Sequence, residues 1–183
     1  MIDSSLKKSK PNETRLVTGL FLDRDSAERA YQAVTELGYK HADVNLVMSD
    51  NTRKRYFSGD NTTETELGSK AAEGAGIGGA IGGALGAIAG ALAAVGTTLV
   101  LPGVGLVIAG PIAAALAGAG AGGATGGIIG ALVGWGIPEE RVKHYESGIK
   151  KGGILMSVQP RSDLDAQRVE QKWKDSRGEH VYW

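Results

Sequence analysis

The sequence predicts an α+β protein, a ferredoxin-like βαβ-αβαβ sandwich interrupted by an inserted glycine-zipper helical hairpin of transmembrane character. Three observations carry this expectation. Strand-like and helix-like segments alternate before residue 50 and again after residue 137, with caps and turn residues between them. The stretch from Gly74 to Gly136 contains no Asp, Glu, Lys, Arg or His. Within that stretch small residues recur at every fourth position in two separate runs.

The first 13 residues are polar and read as a disordered N-terminus that lacks the apolar core of a secretory signal. Residues 14–50 form the first half of the α/β domain. RLVTGLFL, from Arg15 to Leu22, has the composition of a strand. Asp25 with Glu28 fits a capping arrangement, and Ala27, Ala30, Tyr31, Val34 and Leu37 follow at helical spacing until Gly38 ends the helix. Val44, Leu46 and Met48 alternate with polar neighbours as a second strand. Residues 51–70 are a polar linker with a short helix or loop at its start.

Residues 71–136 are the inserted hairpin. The first run is Gly74, Gly78, Gly82, Gly86 and Gly90; the second is Gly110, Ala114, Gly118, Gly122, Gly126, Gly130 and Gly134. On a helix such positions share one face, so each run makes a groove without side chains where another backbone can approach closely. These twelve positions are the expected helix-packing and oligomerisation residues. Thr97 to Gly105, with Pro102, Gly103 and Gly105, is the expected turn between the arms. An arm of roughly 25 residues extends on the order of 38 Å, against a hydrocarbon core of about 30 Å. Trp135, where the apolar stretch meets charge, is the expected interfacial anchor. Arg53, Lys54, Arg55 and Lys70 precede the hairpin, and Arg141, Lys143, Lys150 and Lys151 follow it, which places both termini in the cytoplasm.

Residues 137–183 are the second half of the domain. Pro138, Glu139 and Glu140 open a helix with Val142, Tyr145 and Ile149 on its apolar face, and Gly152 closes it. Ile154, Met156 and Val158 form a strand. Ser162 and Asp165 cap a helix that buries Ala166, Val169 and Trp173, and Gly178 stops it before a last edge strand, Glu179 to Trp183. Two-stranded units are marginal in water, so the halves are expected to join in one four-stranded sheet.

Composition removes several functions. Twenty Lys and Arg balance twenty Asp and Glu, so no net field draws nucleic acid. With no cysteine there is no thiolate site. His41, His144 and His180 lack ligand spacing and read as surface or edge residues. Gly74 to Gly79 matches a dinucleotide fingerprint only by glycine density, since no strand precedes it. No catalytic, cofactor-binding or metal site is expected, and no small-molecule substrate is evident.

LGYKHADVNLVMSD, GSKAAEGAGIGGAIGGALGAIAG, LVLPGVGLVIAGPIAAALAGAGAGGATGG and GWGIPEERVKHYESGIKKGGILMSV together resemble the general stress protein 17M-like, heat-induced stress protein family of bacteria. The resemblance runs from Thr14 to Trp183, and the last of these motifs is the most specific. It implies a stress-response or membrane protein and brings no catalytic residue with it. The expectation is a non-enzymatic stress-response homo-oligomer of the bacterial inner membrane, with the lipid bilayer and other copies of itself as partners. A cytoplasmic assembly, in which the same helices build a soluble scaffold, shell or filament, is the alternative, and a small pore component is a weaker one.

Overall fold

The computed structural model describes residues 16–57, 87–94, 98–101, 105–118 and 127–183. Strand β1 (Val17–Phe21) leads into helix α1 (Arg24–Glu36), a 3-10 turn at His41–Asp43, strand β2 (Val44–Ser49) and helix α2 (Asp50–Phe57). From the insert come helix α3 (Ala87–Ala94), strands β3 (Thr98–Leu101) and β4 (Leu106–Ala109), and helices α4 (Pro111–Gly118) and α5 (Gly127–Gly134). Helix α6 (Glu139–Lys150), strand β5 (Ile154–Val158), helix α7 (Asp163–Asp175) and strand β6 (Glu179–Tyr182) complete the chain.

The strands make one six-stranded antiparallel sheet in the order β3-β4-β2-β5-β1-β6. Strand β5 lies between β1 and β2, with Met156 opposite both Gly19 and Leu46. Alternation along each strand sends side chains to opposite faces. One face presents Val17, Phe21, Leu46, Met48, Met156 and Val158 to α1, α7 and α3. The other presents Leu20, Val47, Leu106, Ile108 and Leu155 to α4, α5 and α6. With helices on both faces, every residue of β1 and β5 is buried.

Helix α1 is capped by Asp23, not Asp25: Asp23 is extended and its carboxylate accepts from the Ser26 N–H at 2.8 Å. Ser162 caps α7 as expected, accepting from the Asp165 N–H at 3.1 Å. Tyr31, Tyr145 and Trp173 are fully buried, and the Trp173 indole donates to the Ala30 carbonyl across the α1–α7 contact.

The insert departs most from expectation. The residues read as the turn between helical arms form a β-hairpin, and β4 joins the edge of the domain's sheet by pairing with β2, Val107 opposite Met48. Thr98, Val100, Val107 and Ile108 are β-branched, and a β-branched residue packs better on a pleated surface than in a helix. The three described helices of the insert have eight residues each, about 12 Å of rise. No described helix is long and apolar enough to cross a membrane.

Candidate functional site

Each described helix of the insert packs one apolar face on the domain, and α3 and α4 are also held by a polar side chain. Ile88 and Ala91 of α3 are buried beneath α1. There the Glu28 carboxylate, 1% exposed, accepts from the Ile88 N–H at 3.1 Å, with Arg24 Nε 3.8 Å from its other oxygen. Burial raises the Glu28 carboxyl above its ordinary range, and the α3 N–H groups and Arg24 only partly counter this. The side chain expected to close a helix cap therefore holds a distant helix instead.

On the opposite face, Asn45 of β2 accepts from the Ile112 N–H at 2.9 Å and donates to the Ser157 carbonyl, which ties α4 to the sheet. Ala113 is buried at that contact. Ile128 and Leu132 of α5 pack in the same cluster as Val142, Tyr145 and Ile149 of α6.

The expected zipper positions separate into three groups. Gly110 lies outside any helix, with φ +106°, in the turn from β4 to α4. An added Cβ there would stand 2.5 Å from the Val44 carbonyl oxygen, so glycine is required for chain reversal against β2 and not for a helix groove. Gly90, Ala114, Gly118, Gly130 and Gly134 do lie on helices, but on three separate short ones. At Gly90 and Gly134 no described atom comes within 4 Å of an added Cβ, so these two faces are uncovered by the described chain. Gly74, Gly78, Gly82, Gly86, Gly122 and Gly126 lie outside the described residues.

Trp135 is a core residue, 9% exposed, and it packs with Leu132 and Ile137 at the end of α5. The chain turns after Gly134 and returns toward the sheet, which places the indole, expected at an interface, in the core. Its Nε1 has no hydrogen-bond partner among the described residues.

Sequence reasoning missed one association. His144 of α6 and His180 of β6, 36 residues apart in the chain, stack with ring centroids 4.5 Å apart and an interplanar angle of 21°. Only the packing of α6 beside β6 brings them together, so local spacing carried no signal for it. His41 stands apart, stacked on Tyr31. Among the described residues no group of three metal-ligating side chains converges. No family model, curated protein or solved structure matches the chain in comparisons with known proteins.

Proposed function

We propose that the chain is a non-enzymatic stress-response protein that self-associates through glycine-lined helices carried on a ferredoxin-like α/β domain. The supporting observation is the two-sidedness of α3 and α5. Ile88, Ala91 and Leu132 are buried against the domain, while at Gly90 and Gly134 no described atom lies within 4 Å of where a side chain would begin. A helix face without side chains admits another helix at close backbone distance, and copies of the chain supply such helices. The order β6-β1-β5-β2 within the sheet, with α1 and α7 as crossovers on one face, supports the ferredoxin-like assignment.

Replacing Gly90 and Gly134 by leucine tests this reading. An added Cβ at either position meets no described atom, so circular dichroism and melting temperature should stay near those of the parent chain while crosslinked oligomers disappear. Unchanged oligomers in the double variant overturn the reading.

A second reading places the same insert in the bacterial inner membrane with both termini cytoplasmic. The flanking Arg53, Lys54, Arg141 and Lys143 favour it. For the hairpin to span, β4 must leave β2 and Glu28 must release α3. Retention of the chain in membranes after carbonate washing, with release only by detergent, would establish that state.

A further inference from the structure

We propose that the cleft between α6 and β6 binds a phosphomonoester, held by Lys143, Lys151 and the stacked His144–His180 pair. The cleft is a cavity of about 280 Å³ lined by Leu20 of β1 and Leu22 just beyond it. Lys143, His144 and Ser147 of α6 with Lys151 just past its end line one wall, and Glu179 and His180 of β6 line the other. The proposal does not depend on self-association, because neither wall belongs to the insert.

The backbone is shaped around this cleft. Gly148 lets α6 settle on β1, since a Cβ there would collide with the Leu20 side chain. On the other wall the β1–β6 register shifts between Thr18 and Leu20, and His180 adopts φ +49°, which is uncommon for a residue with a Cβ. The Tyr145 hydroxyl donates to the His180 carbonyl at 2.7 Å and shares a 2.8 Å hydrogen bond with Thr18, fixing the strained residue from within the core. Burial pushes that phenol up to about 12, so it remains a donor throughout the neutral range. A strained backbone held by its surroundings is a recurrent mark of a ligand clamp.

The charges in the cleft leave a vacancy for an anion. Neighbouring cations are engaged: Lys150 pairs with Glu146 at 2.8 Å, and the Arg141 guanidinium lies 4.5 Å from the Tyr182 ring centroid. Lys143 and Lys151 have no carboxylate partner among the described residues. Each of the two stacked imidazoles carries a ring N–H that donates to an anion placed beside it. A phosphomonoester has three acceptor oxygens and carries a charge of about −1.5 to −2 at pH 7, which suits a cleft with two lysines. Glu179 is the one carboxylate in the cleft; it disfavours a bare polyanion and accepts a hydrogen bond from a hydroxyl on the ligand. The Leu20 and Leu22 side chains suit the carbon skeleton of such a molecule. Both a free sugar or glycerol phosphate and a phosphatidic acid headgroup carry this chemistry.

Titration of the full chain, with histidine rings labelled with nitrogen-15, by glycerol 3-phosphate tests the site. The expected result is a shift of the His144 and His180 ring signals with His41 unmoved. Affinity should fall about tenfold for each of Lys143→Gln and Lys151→Gln, the effect of losing one charge-assisted hydrogen bond. Both lysines sit at the surface, and circular dichroism verifies that these variants fold. A parallel arm measures cosedimentation with phosphatidylcholine vesicles with and without 10% phosphatidic acid. Binding of phosphatidic acid vesicles that both lysine variants lose supports the site and assigns it to a lipid headgroup. The proposal is overturned if glycerol 3-phosphate leaves His144 and His180 unmoved and phosphatidic acid vesicles do not sediment the chain, or if binding survives unchanged in the double lysine variant.

Discussion

Glu28 illustrates how far one side chain's role depends on what packs over it. Its carboxyl is raised by burial, so the folded chain holds that proton more tightly than the unfolded chain does. The resulting stabilisation is complete below the ordinary carboxylate range and is lost as pH rises through the folded value. Glu28→Gln keeps an acceptor for the Ile88 N–H without a charge to desolvate. The variant should therefore be more stable than the parent at pH 7, with the gap closing on acidification, as read from urea unfolding midpoints at pH 4 and pH 7. Glu28→Ala leaves that N–H buried and unpaired, and should cost about 1–3 kcal/mol at either pH. Nothing local in the sequence marks this residue as a latch. Asp25 and Glu28 have the spacing of a cap, and only the arrival of α3, 60 residues later, gives the carboxylate its actual partner.

Among elements, those outside the insert were legible because their punctuation is chemical. Gly38 and Gly152 sit at φ +86° and +99° where helices end, and Ser162 and Pro138 open helices where capping rules place them. The expected turn at Thr97 to Gly105 overlaps strands β3 and β4, because a proline-glycine pair is compatible with a break between helices and with a hairpin alike. The β-branched residues on either side of the turn were the discriminating signal, outweighed by the glycine period around them. Gly110 tests the corrected reading. Gly110→Ala forces a Cβ against the Val44 carbonyl and an unfavourable positive φ, so it should destabilise by about 2–4 kcal/mol and loosen β4 from β2. Faster amide exchange at Val107 and Ala109 than at Met156 would report that loosening. A membrane-hairpin groove at Gly110 predicts no such effect on the sheet.

For the whole molecule, the two open glycine faces lie on opposite sides of the sheet, α3 in one layer and α5 in the other. Two association faces pointing apart give open-ended growth, whereas one self-complementary face stops at a dimer. Sedimentation velocity should therefore show a broad series of species for the parent chain, dimers for Gly90→Leu or Gly134→Leu alone, and monomer for the pair. The layered arrangement itself was only half visible in the sequence. Two polar halves forming one sheet followed from the marginal stability of two strands; that the apolar segment would add helices to both faces of that sheet did not, because its helices carry no periodic polar face to orient them.

The central position of β5 also sets an order of events during synthesis. Strands β1 and β2 emerge from the ribosome with no common neighbour, and the glycine-rich apolar stretch follows them before Ile154–Val158 exists to join the two. For the time needed to translate those residues, the nascent chain carries its least polar segment beside an unfinished sheet, a period when chaperones bind. Slowed elongation after Gly134 should lengthen that exposure and increase aggregation, whereas the released chain can close the sheet in a single step.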